Sequence, residues 1–245
     1  MKTSTMKALA AVGAALTMAL APAGSASAIT GGRAATVQDA PFTVFITGPL
    51  PPHPYQCAGT LINSTTVLTA AHCLEYLKGD VIVSSGLSRT SPDQTVRSEN
   101  IIVHPDYNRD DGENDIGLIK LPSAMKAQPA ALPTVDVDNG LVLATTGWGS
   151  TVPGGPPSDA LQIANFQTVN YSRCGNLDFE FFGLGVFCFG SDTARVCRGD
   201  DGDPMAQNGV VHGFVRRRLS GSCTEGAPAL ATRVFHYVAW IKANS

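Results

Sequence analysis

Between Phe42 and Val215 the chain repeats one pattern: a short apolar, β-branched run, then a turn-rich segment. The runs are Phe42 to Ile46, Thr66 to Thr69, Val81 to Ser84, Ile101 to Val103, Ile116 to Leu121, Leu141 to Thr145, Val186 to Phe189 and Val210 to Val215. β-Branched side chains pack well on a pleated surface, and runs this short suit strands rather than helices. Many short strands separated by turns predict a β sandwich or barrel. Two proline-rich stretches, Pro49 to Pro54 and Pro153 to Pro157, read as surface loops. Only the end looks helical: Val234, Tyr237, Val238 and Ile241 share one face at helical spacing, with Trp240 beside them.

The first 28 residues read as an export signal. Lys2 and Lys7 are basic, Ala8 to Ala21 is apolar, and Ala26-Ser27-Ala28 offers small residues for cleavage. The apolar run is too short to span a bilayer. Cleavage after Ala28 leaves 217 residues, enough for one large all-β domain or two small ones. Losing Lys2 and Lys7 leaves 15 basic against 20 acidic residues, a net charge of −5. A nucleic-acid binder would be basic, so that class is disfavoured. With 44% hydrophobic residues, disorder is disfavoured too. An even number of cysteines, six, in an exported chain points to disulfides in an oxidising, extracellular setting. Alone, six cysteines allow 15 pairings. No phosphate loop or dinucleotide fingerprint occurs, and no cofactor is expected.

Four separated segments carry the chemistry. They are Leu68-Thr69-Ala70-Ala71-His72-Cys73; Asn114 to Leu121, preceded by His104-Pro105-Asp106-Tyr107-Asn108; Thr146-Gly147-Trp148-Gly149; and Cys197-Arg198-Gly199-Asp200-Asp201-Gly202-Asp203-Pro204. Together, in this order, they resemble the trypsin/chymotrypsin family of secreted serine proteases, from Ile29 to the terminal helix. The resemblance implies an all-β fold of two packed six-stranded antiparallel β-barrels with a C-terminal α-helix. It divides the mature chain into a first barrel over about 29–133, a second over about 134–232 and a helix over about 233–244. It also implies the disulfides Cys57–Cys73, Cys174–Cys188 and Cys197–Cys223.

In that family a serine attacks the carbonyl, a histidine takes its proton and an aspartate orients the histidine. By resemblance His72 is the base and Asp115 the orienting acid, and the amides of Gly199 and residue 201 form the oxyanion hole. Ile29-Thr30-Gly31-Gly32 resembles the mature start of the family, whose freed amine pairs with the residue matching Asp200. The serine, however, is missing. The family's Gly-Asp-Ser-Gly-Gly-Pro reads Gly199-Asp200-Asp201-Gly202-Asp203-Pro204, so Asp201 holds the nucleophile's position. A carboxylate attacking a peptide would have to form an anhydride while expelling a poor leaving amine. Losing the serine of a comparable triad costs about a millionfold in turnover. The crowded carboxylates should also hold His72 protonated, useless as a base.

Asp203 replaces a glycine. Arg195 falls where trypsin-like members carry the acid at the specificity-pocket floor, and Arg216-Arg217-Arg218 replace the family's Ser-Trp-Gly strand. One reading is a charged edge that blocks strand pairing. A second is compensation of Asp200, Asp201 and Asp203, with Arg216 pairing with Asp115 in competition with His72. A third is a basic pocket for an acidic ligand. The arginines oppose a metal among His72, Asp115, Asp201 and Asp203, and none is expected. The resulting expectation is a secreted, monomeric, inactive homologue that binds a polypeptide, an inhibitor or another protein, away from nucleic acid and membrane. The competing expectation is an active endopeptidase with an unexpected nucleophile.

Overall fold

The computed structural model describes residues 29–48, 56–77, 81–174, 185–218, 223 and 228–245. The signal segment and the Pro49 to Pro54 loop lie outside these residues. The described residues form two antiparallel sheets and a short terminal helix.

The first sheet is built from β2 (Thr43–Thr47), β3 (Gln56–Asn63), β4 (Thr66–Thr69), β5 (Ile82–Ser85), β6 (Gln94–Arg97), β7 (Asn100–Val103) and β8 (Gly117–Lys120). Its order is β6-β5-β2-β3-β4-β8-β7. The edge strands β6 and β7 follow each other in the chain, so the sheet curls until its edges meet at Ser98-Glu99. They do not ladder there among the described residues. The corner amides are already engaged: Ser98 N donates to Val81 O and Glu99 N to Lys120 O. The result is a half-barrel where a closed six-stranded barrel was expected.

The second sheet contains β1 (Arg33–Ala34), β9 (Val142–Gly147), β10 (Gln162–Val169), β11 (Val186–Gly190), β12 (Pro204–Gln207), β13 (Val210–Arg218) and β14 (Ala229–Arg233). Pairing of β10 with both β9 and β11 closes six of these strands into a barrel, and β1 is appended on β10. Closure removes the exposed edges that an open sheet must otherwise protect. The first described strand thus belongs to the second sheet, with Arg33 opposite Ile163, and precedes the strands of the first.

Strands absent from the sequence expectation, such as β3 and β10, mix glycine, glutamine and asparagine into their apolar positions. Their pairing decides their state, because sheet propensity depends on the neighbours a strand finds. The end of the chain is a 3₁₀ turn, Val234–Tyr237, followed by α2 (Val238–Asn244). Val234, Tyr237 and Ile241 are buried in the same cluster as Leu61, Leu68 and Leu118, so the terminal helix clamps the first sheet. Burying such side chains contributes roughly 1.5–3 kcal/mol each.

Candidate functional site

β4 is buried throughout and delivers the chain, through Ala70, into helix α1 (Ala71–Leu77). His72 stands in the first turn of α1. Cys73 is bonded to Cys57 of β3, which pins that turn to the sheet. Asp115 lies just before β8, which pairs with β4. This register brings the two residues together. Asp115 Oδ1 accepts the backbone N–H of His72 at 2.9 Å, and Oδ2 meets His72 Nδ1 at 2.7 Å. One carboxylate therefore holds both the backbone and the ring of the histidine. Thr232 Oγ1 donates to Asp115 O at 3.1 Å, and Tyr237 OH donates to Asn114 Oδ1 at 3.2 Å, which anchor the segment on β14 and the terminal turn.

Burial disfavours a charge on His72, but the Asp115 carboxylate, its hydrogen bond and the Asp201 charge outweigh that cost. The imidazole is pushed up to about 9. Burial also works against ionising Asp115, yet His72 and Arg216 hold its carboxyl below the ordinary range. At neutral pH the pair is an imidazolium–carboxylate. A group that already carries its proton cannot accept another.

Arg216, in β13, is buried beside this pair. Its Nε lies 3.7 Å from Asp115 Oδ2, and its guanidinium donates to Asp111 O at 3.2 Å and to Gly112 O. The short acidic run Asp110, Asp111 and Glu113 reads from sequence as a solvated loop. The structure makes the carbonyls of Asp111 and of its neighbour Gly112 the seat of Arg216. The signal that marks this turn is Gly112, which has φ +74°.

The Cys197–Asp203 segment faces the pair from the second sheet. Gly199 (φ +93°) and Gly202 (φ +83°) use backbone that other residues rarely adopt. Gly202 sits so close to Ala58 of β3 that a Cβ would collide with the Ala58 carbonyl. Ala58 N donates to Asp201 O at 2.9 Å, Gly202 N to Val215 O at 2.8 Å, and Val215 N to Asp203 O at 2.9 Å. The segment is therefore stitched to both sheets. Asp201 is half-buried and its charge reaches His72.

Asp200 and Asp203 are both fully buried. The Asp200 carboxylate accepts Gly149 N at 3.0 Å and Cys197 N at 2.6 Å. Ile29 is fully buried as well, in a cluster with Ala194 and Val196. Arg195 pairs its backbone with Thr30, Arg195 N donating to Thr30 O at 2.9 Å, and its guanidinium donates to the Ser191 and Ala194 carbonyls. It is turned into its own loop. Arg217 and Arg218 continue β13, but their side chains lie outside the described residues.

Cys174–Cys188 and Cys197–Cys223 complete the disulfides. Cys57, His72 and Cys73 gather three atoms of metal-ligating type within 4.8 Å. Both sulfurs are spent in the disulfide, so no thiolate is left for an ion.

A family model described as Trypsin matches residues 29–241. Trypsin I-P38 of Gallus gallus is 33% identical, over 87% of this chain and 88% of its own length. Brachyurin of Leptuca pugilator is 32% identical, over 78% of this chain and 88% of its own length. Among solved structures, one described as HL collagenase is similar with a TM-score of 0.79 and 27% identity, covering 88% of this chain and 98% of that one.

Proposed function

This chain belongs to the trypsin family, and on that basis we propose that it is a catalytically silent member of it, exported and used to bind polypeptides or protein inhibitors without cleaving them. One observation carries the reading. Where the family presents a serine hydroxyl to the histidine, this chain presents the Asp201 carboxylate, whose charge helps to keep His72 protonated. A nucleophile that cannot expel an amine faces a base that already holds its proton. Arg216 beside Asp115 works the other way on the proton of His72, yet Asp115 and Asp201 outweigh it.

Binding remains available to such a site. The two-sheet frame, the Cys197–Asp203 segment and the His72–Asp115 pair are all in place. The three disulfides and the relatives named as trypsins support an extracellular setting. The intact His72–Asp115 geometry favours a second reading, an active endopeptidase using another nucleophile.

One experiment separates the two. The purified mature protein is incubated with a pool of unfolded proteins and the products are read by mass spectrometry. Silence from the unaltered protein is expected, with cleavage gained in an Asp201→Ser/Asp203→Gly variant. Cleavage by the unaltered protein, abolished by His72→Ala, establishes the second reading instead.

A further inference from the structure

We propose that Asp200 and Asp203 share one proton and together form a pH-sensitive lock on the Cys197–Asp203 segment. The inference is independent of whether the chain cleaves peptides, because it rests on a buried pair that no catalytic step uses.

The geometry is specific. Asp203 has no exposed surface, and neither of its carboxyl oxygens meets a hydrogen-bond donor among the described residues. The carboxyl lies directly on Gly147, where a Cβ would collide with it, while the Asp200 carboxyl lies on Gly149 in the same way. The two acids therefore lie on the glycines that precede and follow Trp148 in the chain, and they face each other. As two carboxylates they have only acceptors to offer. With one proton between them the contact becomes a charge-assisted hydrogen bond, among the stronger kinds.

No described cation is placed to neutralise the pair directly. The elements packed on it are Gly147 to Gly149, Ala58, Cys197 and Val215, which bring only backbone and uncharged side chains. The nearest charge is Asp201, of the same sign; beyond it, His72 and Arg216 are engaged with Asp115. Burial, followed by the neighbouring charges, raises Asp203 well above the ordinary carboxylate range and Asp200 to about 7. A freed Ile29 amine reaching Asp200 leaves the count unchanged: Asp200 is then the ionised member and Asp203 keeps the proton. Losing that proton puts a second, unsolvated negative charge inside the protein. The segment must then open to water, carrying Gly199 and Asp201 with it.

Trp148 is a built-in reporter, since it is 1% exposed, its ring is packed on Phe45, and its two chain neighbours carry the contacts to Asp203 and Asp200. The chain has one other tryptophan, Trp240, and Trp240→Phe isolates the signal. In the mature Trp240→Phe protein, Trp148 emission should move to longer wavelength in a single transition well above the ordinary carboxylate range. The transition should vanish in Asp203→Asn. It should persist in His72→Ala and in a form retaining Ala28 before Ile29, which alter the imidazole beside Asp201 and displace the Ile29 amine. Retention of the transition in Asp203→Asn, or its absence from the parent protein, overturns the proposal. Should Asp203→Asn fail to fold, infrared spectroscopy of the parent at pH 6 decides: a buried protonated-carboxyl band that fades on raising the pH supports the lock, and no such band refutes it.

Discussion

Arg216 Nε stands 3.7 Å from Asp115 Oδ2, the oxygen that His72 Nδ1 reaches at 2.7 Å. Two cationic groups, one from helix α1 and one from β13, thus converge on one buried carboxylate, and the guanidinium also ties down the Asp111 and Gly112 carbonyls. The arginine lowers the proton affinity of His72 while Asp115 and Asp201 raise it.

Arg216→Ser should therefore cost stability and shift His72 upward. Removing one member of a buried ionic cluster typically costs about 3–5 kcal/mol, because the remaining charge loses its partner. Here His72 remains on Asp115, so the expected loss is nearer the lower figure. Urea unfolding measures the loss, and the histidine NMR titration should move to higher pH.

His72 itself should titrate at about 9. A histidine pKa raised on folding stabilises the native state fully below the unfolded value of about 6.5. That contribution fades as pH rises through 9. At about 1.4 kcal/mol per unit it is on the order of 3 kcal/mol across the window. Asp201→Asn removes one of the raising charges, so it should lower the His72 midpoint and narrow the window. A His72 midpoint unmoved by Asp201→Asn, read by NMR, would show that the two groups are not coupled.

Gly202→Ala and Gly209→Ala should differ sharply. Both glycines have positive φ, +83° and +77°, so each substitution carries a backbone cost of about 1–2 kcal/mol. At Gly209 the added methyl enters open space, whereas at Gly202 it meets the Ala58 carbonyl. Gly202→Ala should lose at least ~2 kcal/mol more in chemical denaturation, since the sheets must separate locally. Equal losses would mean that the contact at Ala58 is soft.

A Cys57→Ala/Cys73→Ala variant should lose roughly 3 kcal/mol, the loop-closure value for a separation of 16 residues. It should also loosen His72, whose neighbour no longer anchors α1 to β3. Thermal unfolding reads the first effect, and broadening of the His72 ring signals reads the second.

Much of the frame is legible along the chain. Thr66–Thr69 appears as a strand with the expected bounds, and Val234, Tyr237 and Ile241 share a buried face as their spacing requires. β3 was not legible, because Gln56, Gly59 and Asn63 interrupt its apolar pattern while β2 and β4 supply its partners. Nor was the short β1, whose two residues are a strand only because β10 lies beside them. The half-barrel was not legible either, because it depends on β6 and β7 staying unpaired with each other although they follow each other in the chain. In the site, the Asp115–His72 contact follows the family motifs. The role of the Asp111 and Gly112 carbonyls does not, because carbonyls belong to every residue and leave no mark in composition.

The sequence by itself determined the all-β character, the family of the chain, and the chemical identity of positions 201, 203 and 216. Each is a property of residues close together or of motifs read in order. Only the tertiary structure decided that Arg216 rests on the Asp111 carbonyl, 105 positions away, and that the Asp203 carboxyl is sealed against Gly147 with no donor to meet it among the described residues. The reason is physical. Strand periodicity is set by side chains a few residues apart. Charge, burial and proton affinity are set by whatever groups the fold brings within a few ångströms, and by the water it excludes.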